Sequence, residues 1–143
     1  MIKSFRGKIS NDSQNRIRLS TNNGLIGYRI LKFQVMPETP KSTTEEATMQ
    51  IFSTDQSDNV SDYGNIDFGS PVLLAAAFFS SHSTTTTYPE DTTVIFDTKV
   101  FNQDIYVTCN SSGNMNYHIE LEKVKLDLNE ATVATLKDLR GSQ

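Results

Sequence analysis

The residue types that most often carry chemistry are few in this sequence, and their spacing fits no catalytic or metal-binding motif. His82 and His118 are the two histidines, and neither has a second potential ligand at metal-binding spacing. His82 lies in a Ser/Thr-rich stretch and His118 on the polar side of an alternating segment, so both are expected at the surface. Cys109 is the single cysteine, which excludes an internal disulfide and is typical of a buried structural thiol. We therefore predict a non-enzymatic protein without a cofactor or a metal.

One polar segment, residues 55–67, is rich in acidic side chains. Carboxylates gathered on a loop can hold Ca²⁺. The spacing does not fit the EF-hand pattern, which needs ligands at fixed positions and a central glycine. We interpret the segment as a solvated acidic loop, and the sequence leaves open whether it binds a cation. Its aspartates are Asp55, Asp58, Asp62 and Asp67.

Lysine and arginine are concentrated in the first part of the chain. Residues 1–41 carry a formal charge of +6, residues 42–98 carry −9 without any lysine or arginine, and residues 99–143 carry −1. This division predicts either a molecule with a basic and an acidic surface, or two segments that neutralise each other within one sheet. A basic surface would bind an acidic partner. The pI near 5.1 argues against nucleic acid, and no run approaches the roughly 20 apolar residues of a membrane span.

Most of the chain alternates apolar and polar residues with a period of two, as half-buried strands do. Strands are predicted over residues 16–20 and 25–36, and the intervening Asn23 and Gly24 predict a type I′ hairpin turn. About eight such short segments are separated by turn residues. The sequence therefore predicts a single all-β domain over residues 1–143, a β-sandwich or jelly roll of about eight short strands with at most one short helix.

The apolar phase reverses twice along the predicted strands. The first reversal lies between Ile30 and Leu31, and the second lies near Val124. Each reversal predicts a β-bulge or a strand that passes from one sheet to the other.

Two segments each fit more than one type of secondary structure. Residues 71–79 fit a helix or a buried strand. Residues 129–143 fit a C-terminal strand or a short helix capped by Asn129, and the threonines there favour the strand. Residues 1–10 are apolar and basic, and we interpret them as a possible N-terminal arm that adds a strand to a neighbouring subunit.

Seven segments of the sequence together carry a resemblance to a known group of proteins: residues 4–7, 16–24, 96–97, 101–108, 117–122, 126–130 and 134–140. They resemble small β-rich virion proteins, of the capsid-decoration kind, encoded by tailed bacteriophages of marine bacteria. The resemblance covers most of the chain apart from its acidic middle, and it rests on no catalytic motif.

This resemblance implies a structural protein of the virion, bound to the outside of the major capsid shell. The implied partners are the major capsid protein or neighbouring virion subunits, and the protein would be a homo-oligomer or present in symmetric copies. The alternative is a tail- or fibre-associated module that contacts the host surface. No functional residue is carried over from the resemblance. The candidate partner-binding residues are Arg6, Lys8, Arg16 and Arg18, from the charge distribution, and Phe5, from the apolar N-terminal segment.

Overall fold

The computed structural model of the chain describes residues 1–40, 45–81 and 91–140. This part contains eight strands and one α-helix, and a short 3-10 helix, Ser57–Asp62, lies between the fourth and fifth strands. The elements are β1 (Ile2–Ile9), β2 (Ser13–Ile17), β3 (Ile26–Pro37), β4 (Glu45–Phe52), β5 (Leu73–Ser81), β6 (Asp91–Phe96), β7 (Ile105–Ser111), β8 (Met115–Lys125) and α1 (Leu128–Arg140).

The strands form two antiparallel sheets, one with the order β1-β8-β3 and one with the order β2-β7-β4-β5-β6. The predicted all-β sandwich with one short helix is confirmed. The pairs β1–β8, β2–β7 and β4–β5 are three of the four pairs of a jelly roll. The fourth pair of that pattern, β3–β6, is not formed, because β6 hydrogen-bonds to β5 instead.

The core lies between the two sheets. It is formed by the side chains that point inward, which are every second residue along each strand. Ile119 and Leu121 of β8 are fully buried, as are Val107 of β7 and Ile51 of β4. Burying one such side chain stabilises the fold by about 1.5–3 kcal/mol, so the alternation read from the sequence is also the main source of stability.

The two phase reversals have different structural causes. The first is a β-bulge: the register of β3 against β8 shifts between Ile30 and Lys32. At the second, the pairing of β8 with β3 continues without a shift. There Val124 is half-buried because α1 covers the outer face of the sheet at that end, where Leu126, Ala131 and Ala134 form a second small core. Both alternatives predicted near Val124, a bulge and a passage to the other sheet, were therefore wrong.

The C-terminal segment is a helix, so the preference for a strand at residues 129–143 was wrong over the described part. The helix begins with a capping box rather than with Asn129 as its cap. The N–H of Glu130 donates to Asp127 Oδ1 at 2.7 Å, and Glu130 Oε1 accepts from the N–H of Asp127 at 3.4 Å. Ala131 and Ala134 are buried on the side of the helix that faces the sheet. The ambiguous segment 71–79 is resolved the other way, as strand β5.

The predicted hairpin at Asn23 and Gly24 was wrong, because β2 and β3 belong to different sheets. A type I′ turn needs a positive φ at both central residues, and only Gly24 has one, at +66°. This segment is instead a crossing between the sheets. The N–H of Gly24 donates to the C=O of Thr21, and the N–H of Leu25 donates to Asn23 Oδ1.

The N-terminal segment pairs within its own chain. Residues Ile2 to Ile9 form β1, which pairs with β8 along its whole length, from Ile2 opposite Glu122 to Ile9 opposite Met115. Ile9 is buried and Phe5 packs against the core. The segment is thus an edge strand, and the interpretation as an arm that leaves the domain is corrected.

Candidate functional site

The outer face of the three-stranded sheet brings Arg6 and Lys8 together with residues from two other strands. Arg6 lies opposite His118 on β8, and His118 lies opposite Gln34 on β3. In the next outward row, Lys8 lies opposite Asn116, which lies opposite Met36. Because side chains of one sheet row project to the same side, these residues share one surface. We call it the basic face, and it consists of Arg6, Lys8, Gln34, Met36, Asn116 and His118.

Most of the basic face borders an open cavity of about 660 Å³. The cavity is lined by Arg6, Gln34, Met36, Asn116 and His118 of this face and by Gly7, Val35 and Tyr117. The side chains offer hydrogen-bond donors on the guanidinium and the two amides, and Met36 supplies apolar surface and is 57% exposed. These side chains suit a partner that is anionic or accepts hydrogen bonds and that places a small apolar group against Met36.

The two cations of the basic face differ in how far their charge is compensated. Lys8 Nζ lies 3.3 Å from Glu38 Oε1. A hydrogen bond from Asn114 and then the Lys8 contact lower the pKa of Glu38 below its ordinary value. Arg6 has neither a hydrogen bond nor an ion pair to any side chain in the described ranges. Farther along the sheet, Arg29 donates two hydrogen bonds to Glu122. Arg6 is therefore a cation available to a partner.

Phe5 does not belong to this surface. It alternates with Arg6 along β1 and is half-buried against the core between the sheets. Its role in the free protein is packing, which explains the apolar character of the N-terminal segment without an exposed arm.

Arg16 is held by the chain itself. Its Nε donates to Asp104 Oδ2 at 2.7 Å, and the guanidinium lies over the ring of Tyr106. Burial disfavours the charge of Asp104, but the N–H groups of Ser20 and Leu19 and the Arg16 guanidinium outweigh it and lower the pKa of Asp104 to about 2. Arg16 is thus part of an internal ion pair on the five-stranded sheet.

Arg18 is exposed and alternates with the buried Ile17 and Leu19, so it points to the outside of the five-stranded sheet, as Arg16 does. The predicted basic residues therefore divide between the two outer faces of the sandwich. Arg6 and Lys8 lie on one, and Arg16 and Arg18 on the other.

The acidic segment 55–67 packs onto the five-stranded sheet through the buried Tyr63, while its four aspartates are exposed, as predicted for a solvated acidic loop. Gln50 is buried and its Nε2 donates to the backbone carbonyls of Tyr63 and Asn65, while Tyr63 is 3% exposed. Gln14 Nε2 donates to Asp55, and this bond is the main cause of a lowered pKa of Asp55. Across the described ranges, no group of three or more histidine, cysteine or acidic side chains is placed to hold a metal ion.

His118, Gln34 and Asn116 are the residues of the candidate site that sequence reasoning did not select. The alternation of β8 does place His118 and Asn116 on its polar side, which was a usable signal. Nothing local shows that this side adjoins Arg6, because the pairing of β1 with β8 joins opposite ends of the chain.

Cys109 lies at the fully buried centre of β7. Burial is the main cause that raises the pKa of its thiol. We expect the native protein to react with an aromatic disulfide reagent about 100-fold more slowly than the urea-unfolded chain, because the reactive thiolate is both scarce and shielded. Release of the coloured thiol measures this directly, and equal rates in the two states would contradict the burial of Cys109.

Comparison of the chain with protein-family models, with curated proteins and with solved structures finds no match. Across the described residues, no helix has the length and apolar character needed to cross a membrane.

Proposed function

We propose that the protein is a non-enzymatic structural protein of a phage particle, a decoration protein that docks on the outside of the major capsid shell in symmetric copies. The observation that carries the proposal is the basic face, on which Arg6 is exposed and unpaired among the described residues beside an open cavity. Charge complementarity on such a face orients and speeds docking, while apolar contacts supply most of the affinity.

The fold is compatible with this role. The strand pairs of a jelly roll support capsid and lectin domains alike, and a fold by itself does not assign a function. The resemblance to small phage virion proteins favours the capsid role. The five-stranded sheet and its acidic loop would then face water, since they lie on the side of the sandwich opposite the basic face.

Counting copies of the protein in purified particles of the virus that encodes it tests the proposal. Hundreds of copies per particle, measured on a quantified gel, are expected for a decoration protein. A dozen or fewer would overturn the capsid assignment in favour of the tail- or fibre-associated module, and absence from the particle would overturn both.

Reversing the charge of Arg6 is expected to slow attachment to stripped particles about tenfold at low salt, because Arg6→Glu places a carboxylate on the docking surface. The defect should shrink as the salt rises, since the screening length falls from about 30 Å at 0.01 M to about 10 Å at 0.1 M. Attachment rates can be followed by light scattering or by labelled protein that sediments with the particles.

Arg18→Glu is the matched control for this variant, because it makes the same charge change on the other face of the sandwich. We expect it to slow attachment less than twofold. Equal slowing by the two variants would contradict docking through the basic face.

A further inference from the structure

Strand β1 has one side of its backbone unpaired. The N–H of Lys123 donates to the C=O of Met1 at 2.9 Å, which identifies these facing residues as a hydrogen-bonded pair. Such pairs alternate with non-hydrogen-bonded pairs along an antiparallel ladder. It follows that Ile2, Ser4 and Arg6 direct their N–H and C=O groups away from β8.

The opposite side of β8 gives an independent check on this alternation. Tyr28 of β3 also faces Lys123, so it should direct its backbone groups away from β8. It does: the N–H of Tyr28 donates to the C=O of Phe101 at 2.7 Å, and the N–H of Phe101 donates back at 2.9 Å. The outward direction of the backbone groups on β1 therefore follows from a register that is consistent across the whole sheet.

The described part of the chain leaves this edge largely uncovered. Asn15 Nδ2 donates to the C=O of Lys8 at 3.3 Å, which covers the end next to β2. The outward N–H groups of Ile2, Ser4 and Arg6 have no partner in the described ranges. Ile2, Ser4 and Arg6 are all exposed as well. An extended segment of another molecule thus finds a row of free donors and acceptors there.

The positive charge of β1 determines which kind of strand can pair with its open edge. The side chains of a strand added beside β1 would lie about 5 Å, between Cβ atoms, from Arg6 and Lys8, where opposite charges are favourable and like charges are not. Two copies of β1 pairing with each other would bring together two strands that each carry Lys3, Arg6 and Lys8 and no acidic residue. The edge therefore disfavours self-association and favours an acidic strand.

We propose that β1 is the docking edge for an extended acidic segment of the partner, which adds as a fourth strand to the three-stranded sheet. Its backbone bonds to Ile2, Ser4 and Arg6, and its carboxylates lie beside Arg6 and Lys8. The inference rests on the proposed function, because it specifies how the basic face recognises its partner. Backbone pairing supplies affinity in this mode, and the side chains supply selectivity.

The sharpest test is Ser4→Pro. Proline removes the one N–H that points outward at this position, and edge strands accept it because no bond within the sheet is lost. Ser4→Ala is the matched control, since it keeps the N–H. The probe is a fluorescent eight-residue peptide that alternates glutamate with threonine, compared with the same peptide carrying lysine in place of glutamate.

Fluorescence anisotropy at low salt is expected to show binding of the glutamate peptide and at least tenfold weaker binding of the lysine peptide. Ser4→Pro should weaken binding of the glutamate peptide at least tenfold, and Ser4→Ala less than twofold. Equal binding of the two peptides, or binding that Ser4→Pro leaves unchanged, would overturn the proposal.

Amide hydrogen exchange of the wild-type protein keeps the test decisive if Ser4→Pro does not fold. The glutamate peptide should slow exchange at Ile2, Ser4 and Arg6 at least tenfold, while the amides of β6, another edge strand, stay unchanged. Slowing at β6 instead, or nowhere, would overturn the proposal.

Particle attachment separates this inference from the proposed function. If Ser4→Pro attaches to stripped particles as the wild type does, the edge is not the docking element although the capsid role stands. If the wild-type protein is absent from the particles, the capsid role itself fails.

Discussion

Replacing Asn102 by alanine is expected to lower the free energy of unfolding by about 3 kcal/mol. Asn102 is fully buried between the body of the sandwich and α1. Its Nδ2 donates to the C=O of Gly24 at 3.0 Å and to Thr135 Oγ1 at 2.7 Å, and it also reaches the C=O of Ala131. Alanine leaves a cavity and a buried Gly24 carbonyl without this donor, and both effects destabilise.

Urea unfolding at neutral pH, followed by circular dichroism, measures this loss. Asn114→Ala is the matched control, because Asn114 is exposed and its side-chain amide bonds to no described residue except Glu38 on the surface. We expect the control to lose less than about 0.5 kcal/mol. Similar losses in the two variants would show that Asn102 does not anchor the helix.

Asp138 of α1 adds a second polar contact between Asn102 and the helix. Its Oδ2 accepts the backbone N–H of Asn102 at 3.0 Å, and Lys99 Nζ lies 3.7 Å from its Oδ1. Burial is the main cause that raises the pKa of Asp138. Because the inner side of α1 carries small alanines and this carboxylate, directional hydrogen bonds fix the helix where apolar contact is limited.

Replacing Asp104 by alanine is expected to lower the free energy of unfolding by about 3 kcal/mol at pH 7. Its Oδ1 accepts the N–H groups of Leu19 at 2.7 Å and Ser20 at 2.9 Å, and Oδ2 accepts from Arg16. The variant leaves the buried N–H of Leu19 without an acceptor at the point where the chain leaves β2 for the other sheet.

The same carboxylate makes stability depend on pH. Its pKa of about 2 in the folded protein lies below the ordinary value of 3.8, so its contribution is present above about pH 4 and is lost as the pH falls towards 2. A shift of this size corresponds to about 2 kcal/mol.

Asp104→Ala should therefore lose less stability than the wild type between pH 5 and pH 2. Urea unfolding across that range checks the difference, with Asp58→Ala as an exposed control that follows the wild type. Parallel curves for Asp104→Ala and the wild type would contradict the shifted pKa.

The candidate site was only partly accessible from the sequence. Charge clustering selected Arg6 and Lys8, which do share a face. It also selected Arg16 and Arg18, which lie on the other face. Phe5 was selected as part of the apolar N-terminal segment, and it packs inward. Clustering along the chain cannot separate these cases, because a turn between β1 and β2 sends neighbouring segments into different sheets.

Two local sequence signals conflict in the segment that forms α1. Asp127 and Glu130 have the spacing of a capping box, whereas the threonines at 132 and 135 favour a strand. The helix prevails because Ala131 and Ala134 pack with Leu25 and Val100 in one small core. Asn102 also bonds to Ala131 and, through its backbone N–H, to Asp138 of the helix. Leu25, Val100 and Asn102 come from distant parts of the chain, so propensity alone could not decide between helix and strand.

The sequence by itself determined the all-β class, the alternating core and the phase reversal after Ile30, because each follows from the two-residue period of a strand, and the residue type indicated the burial of Cys109. Only the tertiary structure decided which strands pair, and with that the position of His118 beside Arg6, the open edge of β1 and the burial of Asn102, Asp104 and Asp138. The physical reason is that a period states which face a side chain takes, whereas pairing is selected by the collective burial and hydrogen bonding of segments far apart in the chain.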